Sequence, residues 1–557
     1  MKSKNRLIIG VVALLGIAGV SLTNATKQDF FEMSKQLEIM TTTFRELNIY
    51  YVDPLSPGEL VHTAIDAMLE SLDPYTVYYP EEKMEDVRFI STGEYGGVGI
   101  SLKENWEGRY IIGDIVEGGP AEDAGLQIGD ELVAIKGMDI RGKGIDGISD
   151  QIKGTSGTEV NVGVIKKGTE DEIEVSLVRA KIKRPDIPYH GMVSDKTGYL
   201  ILSKFTKTAS AEVGKSLKYL TDSLGAENII LDLRGNGGGL LREAVNIVNF
   251  FVPKGTEIVE MRGKTEAWNK SYGAIRRPLL KDIPLAILID ERSASASEIV
   301  SGAVQELDRG VIVGRESFGK GLVQQTKDLA YGSRMKITVA KYYTPSGRCV
   351  QRLHYGDRDE KGDATVAADS TLKVFHTANG RPILEGRGVF PDVEIESQFV
   401  GYVLDGLMKN DVLFEFAVSR DIVIDDPENY ELTDQDWKDF ISFVESEFES
   451  EKREEPYSAV SVEVLEVLES ALQEDGLLSK SQTILDSLQD AVSSNIAEDL
   501  RRNEGEIRKA LEEEIVFHKT NTTGLFEYQL PRDPNTLRAL ELLETEEYKS
   551  ILVGPAE

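Results

Sequence analysis

From residue 30 to about residue 78, apolar positions recur at helical spacing: Phe44, Leu47 and Tyr51, then Leu60, Ala64, Met68 and Leu72. Asp53-Pro54 and Asp73-Pro74 act as breaks. This pattern predicts a small helical region over residues 26–85. Between about residues 93 and 179 the texture changes to short β-like runs separated by glycine (GGVGISL, RYIIGDIV, ELVAIKGMDI, EVNVGVIKKG, EIEVSLVRA), which predicts a β-domain over residues 86–182. From about residue 191 strands such as NIILDL, LAILID and GVIVG alternate with helical stretches such as LREAVNIVNFFV and SASEIVSGAVQEL. That alternation implies a largely parallel sheet with helices on its faces, over residues 183–395. After Ile395 the chain turns helical and markedly acidic to its end, so residues 396–557 are read as a separate helical region whose charge runs are solvated faces. The fold class is therefore multidomain α/β: a helical start, a β-domain, an α/β core of mixed sheet with flanking helices, and an acidic helical tail.

The N-terminus has its own pattern. Lys2, Lys4 and Arg6 precede an apolar run over residues 7–22, followed by the small residues Thr23-Asn24-Ala25. This is the form of an export signal, with an uncleaved membrane anchor as the other reading of residues 1–25. Either way the bulk of the chain is expected outside the cytoplasm, periplasmic or held at the inner membrane facing the periplasm. Composition narrows the function further. A length of 557 residues calls for several cores, and a formal net charge of -32 repels phosphate backbones, so nucleic acid is not an expected partner. The single cysteine, Cys349, cannot close an intrachain disulfide, and five scattered histidines contain no HExxH pair, so no metal or other cofactor is expected.

Three glycine- or serine-rich turns follow strands in the α/β region, where sites are commonly built. The first, residues 232–239 (DLRGNGGG), lets the backbone approach a ligand closely and exposes N–H donors. The second, residues 290–298 (DERSASASE), places hydroxyls at a strand-to-helix turn, where one could be a nucleophile with backbone donors beside it. Ser293, Ser295 and Ser297 are all candidates. Ser295 with Glu298 three residues on equally has the form of a capping box. The third, residues 314–321 (GRESFGKG), matches a phosphate-binding loop up to its last position, where Gly321 replaces the hydroxyl that would hold magnesium. Its Lys320 reads either as a surface lysine or as a general base acting on a serine. A Ser-His-Asp arrangement would have to draw on His190 or His354, and neither carries a motif.

Taken together, the segments LDLRGNGGG, SASASEIVSGAVQEL, GRESFGKGLVQ and MKITVAKYYTPSGR resemble the carboxyl-terminal processing peptidases, or tail-specific proteases. The loop GGVGI with EGGPAEDAGL and IGDEL resembles a PDZ domain, and YVDP, SLDPYTVYY and GVFPDVEI occur in that protease family's order. The 25-residue separation of Ser295 and Lys320 matches the family's. By this resemblance Ser295 is the nucleophile, Lys320 the general base and Gln324 the residue that orients the lysine. Ala296 and a glycine of the first turn, Gly238 or Gly237, would be the oxyanion-hole donors. The PDZ loop, with Gly97, Val98, Gly99, Ile100 and Ser101, would bind the substrate's free C-terminus. The implied function is an exported serine endopeptidase acting on proteins or peptides with accessible C-termini, and the family makes a homodimer an expectation. The alternative is a catalytically inactive exported PDZ scaffold.

Overall fold

A computed structural model of the chain describes residues 27–81, 92–366, 372–397, 400–448, 460–492 and 496–554. The expected export segment lies outside them. Among the described residues, no helix is long and apolar enough to cross a membrane. The chain forms two compact units, divided after Tyr78. The first consists chiefly of the helices Lys27–Tyr50 and Pro57–Glu70; Ser56 caps the second, accepting from Glu59 N–H, and Pro57 stands where a missing N–H costs nothing.

In the second unit the PDZ region is an antiparallel sheet whose edge strand, Ile100–Glu104, pairs with Tyr110–Ile115 alone in that sheet. Val98, Tyr110, Ile112, Leu132, Ile148 and Val162 fill its core. The Val98 side chain is fully buried among the domain's own apolar residues, so what position 98 offers at the loop is its backbone. Gly97 and Gly99 are buried as well, whereas Ile100 and Ser101 are half-buried, with Ser101 Oγ accepting from Arg184 at 3.1 Å.

The α/β core is a six-stranded sheet in the order Tyr189–Met192, Thr197–Ile201, Asn228–Asp232, Leu285–Ile289, Val311–Gly314 and Val393–Glu394. The first pair is antiparallel and the rest are parallel. The central strands are apolar throughout because both faces are covered, and side chains alternate between the two. Leu200, Ile229, Leu231, Leu285 and Ile287 meet the helices Ala209–Lys218, Leu241–Val248 and Ala296–Glu306 on one face. Tyr199, Ile230, Ala286, Leu288 and Val313 form the other, and the cover there is unexpected: Leu530, Ala539, Leu542, Leu543 and Tyr548. The helices Pro534–Leu543 and Glu547–Val553 thus return to close the protease sheet. The tail beyond residue 395 is consequently two things. A helical body packs around Leu407, Phe416, Trp437, Phe440, Leu500 and Leu511, and a terminal segment belongs physically to the core. A single boundary at residue 395 misses the second.

Candidate active site

The parallel strands Asn228–Asp232, Leu285–Ile289 and Val311–Gly314 are neighbours, so the three turns at their carboxyl ends lie side by side. Backbone and hydroxyl groups knit them. Gly235 N–H donates to Asp290 Oδ1 at 2.9 Å, Ala294 N–H to Asn236 O at 3.0 Å, and Phe318 N–H to Ser293 O at 3.0 Å. Two of the three candidate serines are consumed by this work. The Ser293 hydroxyl donates to Leu233 O at 2.8 Å and the Ser297 hydroxyl to Asn236 O at 2.8 Å, and both side chains are fully buried. Ser295 is half-buried and sits at φ 57°, ψ -109°, a conformation that costs a residue with a Cβ and that recurs where a nucleophile is held up on a strand-to-helix turn. Of the three candidate serines, Ser295 alone has a hydroxyl that is not spent on the glycine turn in this way.

Glu298 is more than a helix cap. It accepts the Ser295 N–H at 2.7 Å, half of a capping box, but also the Ser317 hydroxyl at 2.7 Å and the N–H groups of Gly319 at 2.7 Å and Lys320 at 2.9 Å. One carboxylate with no exposed surface therefore ties the serine turn to the lysine turn. Burial pushes its pKa above the ordinary glutamate value, against the opposing effect of those four donors. A second clamp is Tyr342, on the strand Arg334–Tyr343, whose hydroxyl lies 3.0 Å from Ser295 O and 2.7 Å from Lys320 O. Burial drives that phenol far above its usual pKa, which keeps its proton available for donation. Neither role was visible in the sequence: Glu298 read as a cap, and Tyr342 was not singled out.

Lys320 is half-buried, and Gln324 follows on the strand Leu322–Asp328, its Nε2 donating to Thr338 Oγ1 at 3.3 Å. That strand also disposes of the phosphate-loop reading, because a phosphate loop must open a helix and this one opens a β-strand. Asp232, the aspartate at the end of the strand Asn228–Asp232 that such a site would need for magnesium, is taken by Arg234 and by the Tyr199 hydroxyl. His190 packs edge-on against Tyr219 at 5.6 Å, and His354 lies in the hairpin strand Leu353–Arg358. Among the described residues no hydrogen bond joins either histidine to the serine turn.

Asn236, fully buried, shapes the glycine turn: its Nδ2 donates to Leu202 O at 2.6 Å and its Oδ1 accepts from Gly238 N–H at 2.8 Å. This alters the expectation for Gly238. Its N–H is already committed to a side chain, which leaves Gly237 as the glycine donor to consider, beside the Ala296 N–H at the first position of its helix. Gly238 has a different importance. At φ 102° an added Cβ would lie 2.7 Å from Ala294 O, 2.9 Å from Ser295 Cβ and 3.0 Å from Ala296 N. Gly238→Ala is expected to lower the peptidase turnover at least tenfold by pushing the serine turn away, measurable as kcat with KM nearly unchanged.

Residues 196–356 match the family model for peptidase family S41, residues 87–165 that for the PDZ domain, and residues 403–543 that for a probable PDZ-protease C-terminal helical domain. A carboxy-terminal-processing protease of Bartonella bacilliformis is 34% identical over 345 residues, which is 61% of this chain and 78% of that protein. The chain belongs to the carboxyl-terminal-processing protease family. A second member, the carboxyl-terminal-processing protease of Synechocystis, is 33% identical over 62% of this chain and 84% of its own length. Among solved structures, a photosystem II D1 C-terminal processing protease is 25% identical and covers 64% of this chain and 86% of that one, with a TM-score of 0.36. The chain is accordingly a serine-type peptidase with a PDZ domain, and the inactive-scaffold alternative is not favoured.

Proposed function

We propose that the protease cleaves peptide bonds with a Ser295–Lys320 dyad, on substrates selected by a free C-terminus, after export from the cytoplasm. The observation that carries the dyad is the double clamp of Glu298 and Tyr342, which joins the backbone of Ser295 to that of Lys320. In the reaction Ser295 Oγ bonds to the substrate carbonyl carbon while its proton passes to a neutral Lys320 amine. The oxyanion rests on the N–H groups of Ala296 and Gly237. The intermediate then collapses, the C–N bond breaks, and the lysine returns the proton to the departing amine. Water adds to the ester by the same relay and frees the acid. Gln324 orients the lysine.

Substrate choice falls to the PDZ domain. Its edge strand Ile100–Glu104 can accept a peptide as an added strand, with the terminal carboxylate at the glycine loop Gly97–Gly99 and Ile100 and Ser101 alongside. The basic start and apolar run of residues 1–25 support a periplasmic location, free or anchored at the inner membrane, and a homodimer is the family's precedent for assembly. The test is cleavage of an unfolded protein and of a tail peptide by the purified ectodomain. Ser295→Ala is expected to abolish both, and amidating the peptide C-terminus to raise KM severalfold. Wild-type turnover by Ser295→Ala would refute the dyad; indifference to amidation would remove the PDZ domain from substrate choice.

A further inference from the structure

Arg234, in the glycine turn, links that turn to a part of the chain almost three hundred residues away. Its Nε lies 2.9 Å from Asp232 Oδ2 and its Nη2 2.6 Å from the same atom, while Nη1 donates to Asp533 Oδ1 at 3.0 Å and Nη2 lies 2.8 Å from Asp533 Oδ2. Asp232 is completed by the buried Tyr199 hydroxyl at 2.5 Å and by the Arg234 N–H at 2.8 Å. Asp533 is itself held in place. It caps the helix Pro534–Leu543 by accepting the Thr536 N–H at 3.1 Å and the Thr536 hydroxyl at 2.6 Å, and that helix packs on the protease sheet. Burial opposes its charge, yet the Arg234 guanidinium and the Thr536 donors keep its carboxyl below the ordinary aspartate pKa. Arg234, Asp232 and Asp533 also line a cavity of about 410 Å³, so the guanidinium is placed by its two carboxylates more than by close packing. One residue further along, Gly235 N–H bonds Asp290, and then comes Asn236, which sets the glycine conformation against Ser295.

We infer that Asp533 is a positioning residue for peptide cleavage: supplied by the C-terminal segment, it fixes Arg234 and, through it, the glycine turn that faces Ser295. The inference rests on the reading of that turn and Ser295 as the catalytic apparatus. It makes the terminal segment an obligate part of the protease's catalytic geometry.

Asparagine separates the two tasks of Asp533, because it caps a helix as well as aspartate does but, neutral and with a single acceptor oxygen, cannot form the two-oxygen ion pair with a guanidinium. In the full chain, Asp533→Asn is expected to lower kcat on a free-tail peptide about tenfold with KM within twofold and the melting temperature unchanged. The inhibition constant of a peptide aldehyde, whose hemiacetal oxygen needs the same donors, should rise in parallel. Asp533→Glu, which restores the charge, should recover most of the turnover. Wild-type kcat and aldehyde affinity in Asp533→Asn would overturn the inference, as would a loss confined to thermal stability. Should Asp533→Asn fail to fold, Arg234→Lys, which keeps one charge but cannot span both carboxylates, takes its place with the same expected and overturning results. Ser295→Ala run alongside separates the two levels. Activity in that variant refutes the dyad itself, whereas an inactive Ser295→Ala beside a fully active Asp533→Asn refutes only the role of Asp533.

Discussion

Lys320→Met is expected to reduce kcat on a free-tail peptide by about 10³–10⁴-fold while leaving the melting temperature within a few degrees of wild type. Methionine matches the lysine stem in length and apolar character but carries no base, so the serine proton has nowhere to go. The fold should tolerate the change because the bond between this residue and Glu298 uses the Lys320 backbone N–H, and that between it and Tyr342 uses its carbonyl. Both clamps survive the loss of the amine. Steady-state kinetics beside a thermal melt decide the matter. Turnover above a tenth of wild type in a folded Lys320→Met would show that another group removes the proton.

Glu298 is expected to behave in the opposite way, with activity and stability falling together. Removing its carboxylate strands four donors, from Ser295, Ser317, Gly319 and Lys320, in a site without exposed surface. An unsatisfied buried donor costs about 1–3 kcal/mol, so Glu298→Ala should lose on the order of 4 kcal/mol or more even after some rearrangement. Turnover should drop at least a hundredfold as the two turns separate. Glu298→Gln keeps the shape but turns one acceptor into a donor that confronts an N–H or hydroxyl, so it should also be impaired. A fully active Glu298→Gln would mean that the junction is dispensable for catalysis. The wild-type pH dependence carries a related signature. Because burial raises this carboxyl's pKa, the folded protein binds its proton more tightly than the unfolded chain does. Its contribution to stability therefore declines as pH rises from the ordinary glutamate value through the raised one. Melting temperatures recorded across that acidic window should show this contribution fading as pH rises.

Much of this was legible in the residues themselves. The strands NIILD, LAILI and VIVG announced themselves as continuous apolar runs of the kind that only a two-faced parallel sheet requires, and the three turns follow directly from them. The serine turn was less so. Ser293, Ser295 and Ser297 are indistinguishable by local pattern; family spacing pointed to Ser295, and the structure adds that the hydroxyls of Ser293 and Ser297 are spent on the glycine turn. Val98 shows what local pattern leaves out, an apolar residue in a glycine loop whose side chain serves its own domain's core. Gly238 shows another such omission, since a glycine beside the serine turn can be required for its missing side chain while its N–H bonds Asn236.

Local pattern by itself determined the kinds of element, their order and the residues with chemistry to offer, because periodicity and turn composition act within a few residues of the chain. Tertiary structure alone decided who meets whom. Tyr342 reaches Ser295 across 47 residues, Glu298 joins two turns, and Asp533 returns across 299 residues to Arg234 with the helices that close the sheet. An amphipathic helix declares in its sequence that one face must be covered, but the surface that covers it depends on packing between distant parts of the chain, and no local pattern encodes that choice.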